Sequence, residues 1–115
     1  MSGKIRIINI EQGMPTVPQA QQTLLVELRR AKAERVIAVK IIHGYGSSGV
    51  GGKLKNAIRK SLALRQKEGK LASFVAGENW SVFDEQARIV LEHCPELRRD
   101  SDLENGNPGI TVAVL

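Results

Sequence analysis

Residues Val36-Ile37-Ala38-Val39-Lys40-Ile41-Ile42-His43-Gly44-Tyr45-Gly46-Ser47-Ser48-Gly49-Val50-Gly51-Gly52-Lys53-Leu54-Lys55 carry the chain from a nearly unbroken β-branched run, through a glycine-rich loop, into a basic segment. A run of this composition fits a strand buried on both faces at the centre of a sheet. Gly44, Gly46, Gly49, Gly51 and Gly52 let a ligand approach the backbone, and a helix opening after them turns its free N–H groups and positive dipole end to the same place. That is the layout of an anion site, with phosphate the foremost ligand.

Outward from this stretch, strands and helices alternate. Lys4 to Ile10 reads as a strand with a buried face, and Pro15 and Pro18 mark a turn into a helix that carries Pro18 in its first turn and runs to about Ala33. Leu24, Leu28 and Ala31 give it one apolar stripe. After the glycine loop, Leu54, Ile58 and Leu62 form a second stripe that ends near Gly69. Leu71–Val75 is a short strand, and Ile110–Leu115 another, entered through the turn Asn107-Pro108-Gly109 and a candidate exposed edge of the sheet. The expected fold is α/β, a two-layer sandwich of order β-α-β-α-β-(helical insert)-β with a mixed sheet covered by two helices.

The insert, at about residues 77–108, holds Ser81-Val82-Phe83-Asp84 as a capping box and then Phe83, Ala87, Val90, Leu91 and Cys94 at helical spacing until Pro95, which predicts a helix packed at the rim. Trp80 reads as core or rim packing. Asp100 to Gly106 follows a calcium loop loosely, but its glycine comes one position late and Thr111 stands where the bidentate Glu belongs, so it reads as a solvated acidic turn and no metal site is expected.

At 115 residues the chain fits one domain, 1–115. It has no apolar run long enough to span a membrane, its N-terminus lacks the pattern of a signal peptide, and its single cysteine, Cys94, forms no internal disulfide. A cytoplasmic protein without membrane contact is the expectation. The net charge of +5 is unevenly spread. From Lys53 to Lys70, seven lysines and arginines face only Glu68, a segment suited to a polyanion. From Glu78 to Glu104 acids dominate, a segment that would repel a polyanion or recruit a protein partner.

Gly44-Tyr45-Gly46-Ser47-Ser48-Gly49 matches the dinucleotide fingerprint between a strand and a helix, a weak signal alone. A Walker A loop fails, because Leu54 follows Lys53 where Ser or Thr would hold magnesium. Lys53 and Lys55 fall in the first turn of a helix, where the dipole disfavours cations. A bound anion between them and the loop amides reverses that penalty, whereas ordinary solvated lysines would leave it standing.

Ile41-Ile42-His43-Gly44-Tyr45-Gly46, Lys53-Leu54-Lys55 opening a basic helix, and the closing Asn107-Pro108-Gly109-Ile110-Thr111-Val112-Ala113-Val114-Leu115 together resemble the Smr domain, the small MutS-related module. The resemblance implies a fold similar to the C-terminal domain of the third bacterial initiation factor, binding to DNA or RNA and, in some members, metal-assisted endonuclease activity. Such members carry an L-D-x-H-G signature on the first strand. Here Ile8-Asn9-Ile10-Glu11-Gln12 stands in its place, with Asn9 for aspartate and Glu11 for histidine. Asn9 can act neither as a base nor as a charged metal ligand.

Three functions follow. A nucleic-acid binding module would grip phosphates with His43, Gly44, Tyr45, Gly46, Ser47, Ser48, Gly49, Lys53, Lys55 and Arg59, with Tyr45 stacking on a base or sugar, and would need no cofactor. A divergent endonuclease would use His43 and Glu11 as catalytic groups with a divalent metal. A small phosphate-ligand or protein-interaction module would use the loop for a nucleotide or an acidic partner.

Overall fold

Capping decides where the first helix starts: Thr16 Oγ1 accepts from the Gln19 amide while Gln19 Oε1 accepts from the Thr16 amide, at 3.3 and 2.9 Å. The computed structural model describes residues 4–45 and 51–115. Its elements are β1 (Ile5–Asn9), α1 (Val17–Ala33), β2 (Ala38–Ile42), α2 (Gly51–Lys67), β3 (Ser73–Ala76), α3 (Glu85–His93) and β4 (Ile110–Val114), with short 3₁₀ turns at Gly77–Asn79 and Pro95–Arg99. One mixed sheet has the order β1-β2-β4-β3, with β1 parallel to β2 and β4 antiparallel to both β2 and β3.

Side chains alternate across β2, so its two faces enter two cores. Val39 and Ile41 join Ala20, Leu24 and Leu28 of α1 and Leu54, Ile58 and Leu62 of α2, which builds the two-layer α/β sandwich. Ala38 faces the other way, with Val112, Val114, Trp80, Val90 and Leu97. The segment between β3 and β4 thus covers the second face of the sheet. It is not confined to the rim, because β2 and β4 are buried on both faces.

Three local expectations change. β4 is central: Ile110–Val114 pairs on one side with β2 and on the other with β3, and all five residues are buried, Thr111 being the one polar side chain among them. The cap of α3 is Asp84, which accepts from the Ala87 amide at 2.9 Å, and Ser81 bonds Glu104 instead. Phe83 therefore precedes the helix and is 84% exposed. Finally, Asp100 and Asp102 are half-buried and paired, where a freely solvated turn was expected. Buried Lys40 donates to Asp100 at 2.9 Å and pairs with Asp102 at 2.5 Å, and Trp80 Nε1 donates to Asp100 at 3.0 Å. Burial opposes the charge of Lys40, yet its bonds to Asp102 and Asp100 outweigh that and hold its pKa above the usual lysine value.

Candidate functional site

Because β1 and β2 are parallel, with Asn9 opposite Ile42, both release the chain at one edge of the sheet. β4 starts at that edge, Ile110 opposite Ile42, and β3 ends there, Ala76 opposite Thr111. A helix that follows a strand and returns over the sheet begins at the same edge, so the start of α2 belongs to it.

His43, one residue past β2, is wholly buried. Its amide and that of Gly44 both donate to the Gly109 carbonyl, at 3.0 and 3.1 Å. The ring bonds Gly44 O through Nδ1 at 2.7 Å and Thr111 Oγ1 through Nε2 at 2.9 Å. A carbonyl only accepts, so Nδ1 carries the proton and Nε2 accepts from the Thr111 hydroxyl. That hydroxyl in turn accepts from Arg59 Nε at 3.0 Å. The bonds therefore run in one direction, from Arg59 through Thr111 and His43 to the Gly44 carbonyl. Burial lowers the His43 pKa to about 4, helped by the Arg59 and Lys55 charges and only partly offset by the bond to Gly44, so the ring is neutral at pH 7.

Gly44 takes φ +76°, and a Cβ there would collide with Oε2 of Glu11, whose carboxylate lies against the Gly44 backbone. The structure thus brings Glu11 and the loop together. Asn9 is occupied elsewhere, since its Oδ1 accepts from the Gln12 amide at 3.0 Å and closes the turn after β1. Tyr45 is 57% exposed, and its ring rests beside Gly109, where a Cβ would come within 3.1 Å of Cδ1. Gly46, Ser47, Ser48 and Gly49 lie outside the described residues.

Arg59 is engaged on every side. It forms a two-bond pair with Glu78, at 3.0 and 2.7 Å, and also donates to Ile110 O at 3.1 Å. Arg59 holds the Glu78 carboxyl below the usual carboxylate range. Lys53 is exposed and Lys55 half-buried, and no acid among the described residues pairs with either. The charge of Lys55 acts on both His43 and Glu78, lowering the pKa of each.

Four contributors went unread in the sequence as site residues: Thr111, Gly109, Glu78 and Asn107. Thr111 and Gly109 stood in the terminal strand motif, but nothing local in their neighbourhood says they meet His43. Asn107 Oδ1 accepts from the Gly109 amide at 2.9 Å while its Nδ2 donates to Asp102 at 3.0 Å. Lys40, and then this Asn107 bond, hold the Asp102 carboxyl below its ordinary value. A polar chain therefore joins Lys40, on the far face of the sheet, to the carbonyl that holds the loop. Much of the acidic segment is consumed internally: Glu78 on Arg59, Asp100 and Asp102 on Lys40, and Glu104 on Ser81 and the Val82 amide.

No helix among the described residues is long and apolar enough to cross a membrane. Comparison with curated proteins and with solved structures gives no match. The family model described as the Smr domain matches residues 12–81, from the turn after β1 through β3 to the residue after Trp80, and so takes in the loop, His43, α2 and Glu78. With that match spanning more than half of its length, the chain belongs to the Smr domain family, one linked to nucleic-acid binding and endonuclease activity.

Proposed function

We propose that the protein binds nucleic acid by its phosphates at the sheet edge where α2 begins, with Lys53, Lys55 and the loop amides as the contacts and His43 as a positioning residue. What carries this is the division of labour at the edge. His43 spends both ring nitrogens on Gly44 and Thr111, while two lysines stand at the positive end of α2. The exposed ring of Tyr45, backed by Gly109, offers a face on which an unpaired base can stack.

A divergent endonuclease would need groups to activate water. Glu11 is exposed and beside Gly44, but Glu78 is bonded to Arg59 and His43 to Gly44 and Thr111. One uncommitted carboxylate does not make the donor set of a divalent ion. The arrangement favours binding over cleavage.

The test is fluorescence anisotropy with labelled single- and double-stranded DNA and RNA, set beside a panel of mononucleotides. Binding to oligonucleotides that weakens about tenfold or more in Lys53→Gln/Lys55→Gln is expected, two charge-assisted contacts being lost. Binding of mononucleotides alone would select the small-ligand alternative. Metal-dependent cleavage by purified protein that disappears in Glu11→Gln would select the enzyme.

A further inference from the structure

The guanidinium of Arg59 is held from behind and presented forward. Thr111 Oγ1 accepts from its Nε at 3.0 Å and Ile110 O from one Nη at 3.1 Å, so β4 fixes the plane of the fork. In front, both Nη atoms meet the two carboxylate oxygens of Glu78. That parallel geometry serves two oxygens of a phosphate equally well. Lys55 lies one turn earlier on α2, at i,i+4 spacing, and its charge reaches the same carboxylate.

Exposure separates the two partners. The Arg59 side chain is 17% exposed and that of Glu78 41%, so solvent reaches the pair from the carboxylate side. Beneath Glu78 the backbone is wedged, since a side chain at Gly77 would collide with the Asn107 carbonyl and with Ile110. Glu78 can therefore leave by rotating its side chain, with neither the turn nor the fork moving.

We propose that Arg59 and Lys55 form a phosphate seat that Glu78 fills in the absence of ligand, and that a phosphate of the bound polynucleotide displaces the Glu78 carboxylate. This rests on the nucleic-acid reading above and deepens it: Glu78 is an internal competitor that sets affinity. A half-exposed ion pair is weak enough for a ligand to open. The fork then remains in place, because its contacts to Thr111 and Ile110 do not involve Glu78.

Glu78→Gln removes the competitor and leaves the fork anchored. Anisotropy with a single-stranded oligonucleotide should show it binding about three- to fivefold tighter than wild type, the size of effect an exposed pair commands. Glu85→Gln, an equal change of charge at an exposed position of α3, should give less. In an Arg59→Lys background the gain from Glu78→Gln should vanish, because an ammonium offers no fork. Inorganic phosphate titrated into wild-type protein should shift the Arg59 Nε–H resonance saturably, and at lower concentration in Glu78→Gln. A Glu78→Gln that binds no tighter than Glu85→Gln, a gain that survives Arg59→Lys, or an Arg59 resonance indifferent to phosphate would each overturn the proposal. Should the wild type bind no oligonucleotide, the nucleic-acid reading falls, and the phosphate titration still decides whether the seat exists.

Discussion

His43 has no exposed surface and a protein partner on each ring nitrogen, the Gly44 carbonyl on Nδ1 and the Thr111 hydroxyl on Nε2. Its pH behaviour reports that enclosure. A folded-state pKa of about 4 against an unfolded value near 6.5 means that the unfolded chain binds the proton first as pH falls. The stability is fully present above pH 6.5 and is lost as pH falls toward 4. The loss amounts to about 3 kcal/mol, from 1.36 kcal/mol per unit. Urea titrations at pH 7 and pH 4 would measure it, and equal midpoints would show that His43 titrates normally. As pH falls through the ordinary carboxylate values of 4.5 for Glu78 and 3.8 for Asp102, these two groups, both held below those values, add further acid sensitivity that overlaps the lower end of the window. Thr111→Val strips the partner from both His43 Nε2 and Arg59 Nε. A cost of about 1–3 kcal/mol is expected, since two buried groups lose bonds. A substitution without effect in thermal unfolding would mean that the directional chain contributes nothing to stability.

At the scale of elements, the acidic segment between β3 and β4 is a cover for the sheet and a support for the loop. Lys40 is its anchor, and Lys40→Met would strand Asp100 and Asp102 against an apolar core at a cost of about 3–5 kcal/mol. Adding Asp100→Asn and Asp102→Asn should restore part of that stability, which chemical denaturation followed by Trp80 fluorescence would register, because Trp80 bonds Asp100. Failure of the triple variant to recover would mean that the pairing is incidental. These contacts also explain what the sequence could and could not tell. β2, α1 and α2 were legible from composition, period and caps, which are local. Ile110–Val114 read as a strand and a candidate exposed edge, and its central place between β2 and β3 is a matter of strand order, which no local pattern encodes. Lys40 and Asp100 are 60 residues apart, His43 and Thr111 68, and Arg59 and Thr111 52, so the pairs that build the site have no sequence spacing to reveal them. Glycine loop, lysines and basic helix read as a candidate anion site from composition and spacing alone. That His43 and Arg59 are bound inward was not legible there.

For the whole molecule the decisive quantity is how its charge meets a polyanion. The net charge is +5, and several of its acids are already paired inside the fold, so the basic start of α2 is less opposed than the acidic run of the sequence implies. Binding through phosphates releases counterions, which makes affinity fall with salt in proportion to the contacts made. The direct test is the slope of log affinity against log salt for a single-stranded oligonucleotide, in wild type and in Lys53→Gln/Lys55→Gln. Phosphate binding at the start of α2 predicts a negative slope that loses about 1.4 in magnitude in the double variant, at about 0.7 per phosphate contact. An affinity indifferent to salt, or a slope unchanged when both lysines are removed, would contradict it.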